Sequence, residues 1–311
     1  MSKRTSSRKS FPESTLRETS SIGRTPPTVS ARWLLTMGAG ILGVAAICVW
    51  GVLCLMFWQG SWQLLYHPLA AVTRTPASAA LSFESIGFAS SESGIPQLAG
   101  WWIPAAPGSR FTAIYLHGAD GNLGDTIEAL TQLHGAGLNV LAFDYRGYGQ
   151  SQFVRPSEAH WNDDAESALR YLTGTRHIAA GSIVLVGEGL GADLALEVSA
   201  VHPELAGLVL KQPVQNPTQA IFNDPRARLV PARALVADRW DMTAPAVDLR
   251  IPSLWFVQTA PPGQLGLPDA PSVYEKVHSR KTLVWLWNGN EGFVTFTSAL
   301  ARWLDNLPAK P

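Results

Sequence analysis

Val186-Gly187-Glu188-Gly189-Leu190-Gly191-Ala192 is a glycine-rich corner between two segments of different pattern. Before it runs Ser182–Val186, short and apolar, as a strand covered on both faces reads. After it runs Leu190–Val201, which reads as a helix. The same alternation continues on either side. Upstream, strand-like runs occupy Leu81–Phe88, Leu98–Ile103, Phe111–Leu116 and Asn139–Phe143; downstream they occupy Leu205–Leu210, Ser253–Val257 and Thr282–Trp287. Helical patterns fall at Leu123–His134, Ser157–Leu172, a region around Pro217–Asp238, and Thr295–Leu307. The alternation predicts an α/β domain over residues 81–308, a mostly parallel eight-stranded sheet flanked by helices.

Two further motifs follow strands, where the carboxyl ends of a parallel sheet place its usual site. They are Leu116-His117-Gly118-Ala119-Asp120-Gly121-Asn122 and Phe143-Asp144-Tyr145-Arg146-Gly147-Tyr148-Gly149-Gln150-Ser151. Taken with the glycine corner, with Pro156-Ser157-Glu158 and Asp164-Ala165, and with Asp238-Arg239-Trp240-Asp241 leading to Ile251-Pro252, they form an ordered set. That set resembles the α/β-hydrolase superfamily, especially its membrane-tethered serine-hydrolase branches, and covers the chain from about Leu81 to Leu307.

The resemblance implies a G-x-S-x-G nucleophile elbow, a turn that lifts a serine above the sheet. Gly187 and Gly191 keep that frame, but Gly189 stands at the nucleophile position. The resemblance places an acid after Ser253–Val257, where Gln258-Thr259-Ala260-Pro261-Pro262-Gly263 holds none and the next carboxylate is Asp269. It places a histidine within Trp287–Phe293, where Asn290 or Glu291 stands, and no histidine follows His278. No triad member is in its expected place. Three such vacancies in a legible frame imply a chain that no longer performs Ser-His-Asp catalysis.

Other residues are candidates for different roles. His117 belongs to the loop that shapes the oxyanion site in the resembling family. The backbone N–H groups of Ala119 and Leu190, beside Gly118, would cradle a carbonyl or carboxylate at a helix N-terminus. Glu188, Glu291 and Asp120 are the candidate replacement nucleophile, acid and base; Glu188 precedes the nucleophile position by one residue and is expected to point away from the pocket. The histidines show no metal-ligand spacing, and the glycines fit no dinucleotide or phosphate fingerprint, so no metal or cofactor is implied.

The N-terminal region reads differently. Residues 1–32 form a polar arm of net charge +5, from seven basic and two acidic residues. From Trp33 to Thr73 no Asp, Glu, Lys or Arg occurs, and between Leu34 and Trp58 the only polar residue is Thr36. A run of this length crosses a bilayer core of about 30 Å. The sequence therefore predicts a disordered arm (1–32), a membrane helix (33–58) and a linker (59–80). Basic residues concentrated before the span keep the N-terminus cytoplasmic and send the domain across. Trp58, Trp62 and Tyr66 are expected to form an interfacial aromatic belt.

Composition narrows the function classes. Lys+Arg 24 balance Asp+Glu 24, which offers nucleic acid no basic surface. Cys48 and Cys54 are the only cysteines, too few for a disulfide scaffold. Expected partners are membrane lipid, through the one helix, and a small-molecule or protein ligand. The expected function is that of a membrane-anchored pseudo-hydrolase that binds without cleaving. Its rival is an ester, thioester or amide hydrolase built on non-standard residues.

Overall fold

Each of the eight apolar runs forms a strand, and all eight join one sheet. The computed structural model describes residues 29–89, 95–258, 272–286 and 292–308. The strands are β1 (Glu84–Phe88), β2 (Leu98–Ile103), β3 (Thr112–Leu116), β4 (Asn139–Asp144), β5 (Ile183–Glu188), β6 (Gly207–Lys211), β7 (Ser253–Gln258) and β8 (Lys281–Leu286). Their order across the sheet is β1-β2-β4-β3-β5-β6-β7-β8. Only β2 runs against its neighbours; every other pairing is parallel.

Both faces are apolar because side chains alternate along each strand. Ile114, Leu116, Leu185, Leu208 and Trp255 meet helices α3 (Glu158–Arg170) and α4 (Leu190–Val201) on one face. Ala113, Tyr115, Val186, Val209 and Phe256 meet α2 (Ile127–Gly135) and the C-terminal helix Gly292–Asp305 on the other. Continuous apolar strands of this kind bury both faces, and the result is three layers.

The chain divides into two units, Met1–Trp50 and Gly51–Pro311. Helix α1 (Ala31–Gly60) is longer than the expected 33–58, and of its residues only Phe57 is buried. The helical stretch Ala31–Leu64 has a mean hydropathy of 2.5 over its most apolar window, long and apolar enough to cross a membrane.

Residues 59–80 are not a loose linker. Leu65, Tyr66 and Pro76 are buried, and His67-Pro68 pairs in parallel with Asp120-Gly121. Asn122 Nδ2 donates to the carbonyls of Leu69 (3.0 Å) and Ala71 (2.9 Å). Tyr66 leaves the expected belt for the core. Its hydroxyl donates to Asp238 at 2.7 Å and accepts from the Trp240 indole at 3.0 Å. A phenol with two internal partners is better satisfied inside than at an interface. Trp58 stays exposed and Trp62 half-buried. The region around Pro217–Asp238 resolves into three short helical turns, Gln219–Phe222, Pro225–Arg228 and Ala232–Leu235.

Candidate functional site

Strand β5 ends in Glu188, and α4 begins at Leu190; Gly189 between them takes φ 58°, ψ −125°. Only glycine adopts this region without strain. The flanking glycines are required by packing. A Cβ on Gly187 would strike Gly191 O and Ala192 Cα, and one on Gly191 would strike the carbonyls of Leu116 and His117. At Gly189 the opposite holds, because a Cβ would meet nothing closer than Gly118 Cα at 3.8 Å. The turn is built so that a side chain at 189 has room, and none is there.

The elbow opens into a cavity of about 590 Å³. Gly118 and Ala119 form one wall and Gly189 and Leu190 its floor, while Leu64, Leu65, Val214, Pro217 and Ala220 add apolar surface. Leu190 is the first residue of α4, where N–H groups have no partner inside the helix.

A sheet of order 1-2-4-3-5-6-7-8 with β2 reversed, and a glycine-framed elbow between β5 and a helix, has clear relatives. Residues 109–260 match the family model of serine aminopeptidase, S33. The uncharacterized protein Rv2307c of Mycobacterium tuberculosis is 32% identical over 176 residues, 56% of this chain and 60% of that one. Protein bem46 of Schizosaccharomyces pombe is 32% identical over 108 residues, 34% of this chain and 36% of that one. The esterase Pf2001 of Pyrococcus furiosus superposes with a TM-score of 0.58 at 18% identity, over 78% of this chain and 98% of that one. The chain has the α/β-hydrolase fold. It spans about 60% of the length of the mycobacterial relative it matches.

Within this fold the sequence-derived candidates separate. Gly118, Ala119, Gly189 and Leu190 come together in the cavity. His117 does not line it. Its ring is buried among Tyr145, Tyr148 and Trp161. Nδ1 lies 2.8 Å from Gly118 O, so it carries the proton and donates. Nε2 has no hydrogen-bond partner among the described residues and lies 3.8 Å from Asp144 Oδ1. Burial lowers the His117 pKa to about 4, which keeps the ring neutral. The same burial raises Asp144 to about 6. His117 is thus a packing residue behind the loop. Tyr145 and Tyr148 hold that loop by donating to the carbonyls of His117 (3.1 Å) and Ala119 (2.8 Å).

Glu188 corrects an expectation, since it lines the cavity rather than pointing away. Strand register sets Glu188 beside Lys211, and their charged atoms are 2.9 Å apart. Tyr115 donates to the other Glu188 oxygen at 2.9 Å, and its own pKa is driven well up, first by burial and then by this carboxylate. A carboxylate held by an ammonium and a phenol is a poor nucleophile.

Asp120 is exposed at the cavity mouth and pairs with His67, Nδ1 to Oδ1 at 2.6 Å. The expected partner Glu291, like Asp269 and Asn290, lies outside the described residues. Sequence reading missed His67, Tyr115 and Lys211 as cavity residues. Lys211 ends the strand beside β5 on one side and Tyr115 is the last residue but one of the strand on the other, so counting toward strand ends would have found them. Nothing local marks His67, which arrives through the packed segment 59–80. Among the described residues no cluster of His, Cys, Asp or Glu is arranged to hold a metal ion.

Proposed function

We propose that this chain is a membrane-anchored pseudo-hydrolase whose elbow cavity binds a ligand without Ser-His-acid cleavage. The observation that carries the reading is a glycine at the nucleophile position beneath an open cavity. A filled cavity would have argued for a structural anchor only. Helix α1 serves as the anchor, with the basic arm cytoplasmic and the domain on the far side.

The lining narrows the ligand. Asp120, Asp125, Glu128 and Glu188 line the cavity, and Lys211 is the one ammonium among its described lining residues, so a free carboxylate would meet a net negative wall. A neutral carbonyl compound with an apolar body, such as an ester or amide, suits the cradle and the leucines better. The test uses the full chain in detergent micelles. A medium-chain ester should raise its melting temperature more than the matching carboxylate does, and p-nitrophenyl esters should not turn over. Turnover abolished by Glu188→Ala or Glu291→Ala would overturn the proposal.

One observation favours a second reading, hydrolysis by relocated groups. The His67–Asp120 pair orients an imidazole at the cavity mouth as the acid orients the base in a triad. Turnover abolished by His67→Ala, but kept by Glu188→Ala, would establish that reading.

A further inference from the structure

The end of α1 carries a second feature. Arg155, in the loop after β4, donates from Nη2 to the Trp58 carbonyl at 2.8 Å and lies over the Trp58 ring at 5.5 Å. Arg155 thus ties this loop to the last turn of α1. The same loop is tied elsewhere: Gly149 N–H donates to Leu69 O at 3.0 Å, and Gln152 N–H to Gln97 O at 2.8 Å. Between these ties Phe153 is 86% exposed. Leu69 and Ile95, which flank the tie points, are also exposed. No charged residue occurs between Gly147 and Val154, nor between Trp33 and Thr73.

Phe153, held in the open by a loop tied at several points, is available for an apolar contact. The anchor reading supplies one. At 1.5 Å per residue the run Leu34–Trp58 measures roughly 38 Å, longer than the bilayer core of about 30 Å. Trp58 then stands at headgroup level, the depth where tryptophan and arginine settle. Arg155, bonded to the Trp58 main chain, is at the same depth. Arg155 also lines a cavity of about 270 Å³ that Trp58, Trp62 and His160 share, and its guanidinium has further N–H donors to offer. Asp238 also borders this cavity, but its oxygens accept from Tyr66 O–H and Glu158 N–H.

We infer that the loop 149–155 is a second bilayer contact of this protein: Arg155 pairs with a lipid phosphate and Phe153 enters the acyl boundary beside the span. The occupant is membrane lipid, because a guanidinium complements phosphate and the exposed Phe153 lies two residues from it on the same loop. The inference rests on the reading of α1 as a membrane anchor. Such a contact would hold the domain at a fixed attitude to the membrane rather than swinging on its helix.

The test uses full-length protein in anionic lipid nanodiscs, in a Cys48→Ala/Cys54→Ala background. An environment-sensitive dye is placed at Phe153→Cys or, as control, at Val201→Cys, which is exposed at the far end of α4 from the elbow. Lipid-borne nitroxide should quench the dye at 153 severalfold more than at 201. Arg155→Glu should remove most of that difference, and Arg155→Lys should keep it. Equal quenching at the two sites, in protein that resists carbonate extraction, overturns the docking loop and leaves the anchor standing. Release of the chain by carbonate overturns both.

Discussion

Gly189 is the residue on which the reading turns, and its neighbours say why the elbow survives. Gly187 and Gly191 sit where any Cβ would strike backbone, which cannot step aside as a flexible side chain can. Gly191→Ala should therefore cost several kcal/mol, the penalty of overpacking combined with displaced main chain, and yield little folded protein by circular dichroism. Gly189→Ser is a different case. The space is open, and the cost is the left-handed conformation alone, on the order of 1–3 kcal/mol. The variant should fold with a lowered melting temperature and still show no ester turnover. A serine hydroxyl is a weak nucleophile until a base activates it, and no histidine follows His278 in this chain. Turnover in Gly189→Ser, absent from the starting protein, would mean that a base such as His67 reaches the elbow.

At the scale of elements, the loop 117–122 forms part of the cavity wall through Gly118, Ala119 and Asp120, and it is held from both sides. Tyr148 donates to Ala119 O, while Asn122 accepts from Gly124 N–H and donates to Leu69 and Ala71. Asn122→Ala removes two donors to the segment 59–80 and one helix cap. It should cost about 1–3 kcal/mol and speed hydrogen exchange in residues 65–71 more than elsewhere. Uniform exchange across the domain would show that the segment is held by burial alone. These ties also explain which elements were legible. The strands declared themselves because both faces are covered, so each is a continuous apolar run, and α4 fell at Leu190–Val201 as read. Segment 59–80 was hidden, since beyond Leu65, Tyr66 and His67 it is held through the carbonyls of Leu69 and Ala71, which leave no mark in the side-chain pattern. The same limit hid the direction of Glu188, which is set by Lys211 across the strand rather than by position in the motif. The helical pattern read around Pro217–Asp238 is broken into turns of four residues, too short for periodicity to mark where each begins and ends.

For the whole molecule, folding stability is linked to pH through groups that the fold buries. Asp193, in the first turn of α4, is buried; its Oδ1 accepts from Val214 N–H at 3.2 Å, and its Oδ2 has no partner among the described residues. Burial raises its pKa from 3.8 to about 8, with Glu158 adding a smaller push the same way. The folded protein therefore holds this proton across a range in which the unfolded chain has lost it. Below about pH 4 both states are protonated and the stabilisation is fully present. Between about pH 4 and 8 it is lost as pH rises, with a limiting slope of about 1.4 kcal/mol per pH unit. His117 acts oppositely, because its pKa falls from 6.5 to about 4. The unfolded chain takes up that proton first, so this contribution, full above about pH 6.5, is lost as pH falls from about 6.5 to about 4. The two trends partly cancel in the intact protein, and single variants separate them. Asp193→Asn keeps the shape of the neutral acid without its proton. The stability of the starting protein relative to Asp193→Asn, measured by urea titration, should decline steadily from pH 5 to pH 8. A difference that stays flat over that range would mean that Asp193 is ionised in the fold, held by a group other than the Val214 amide.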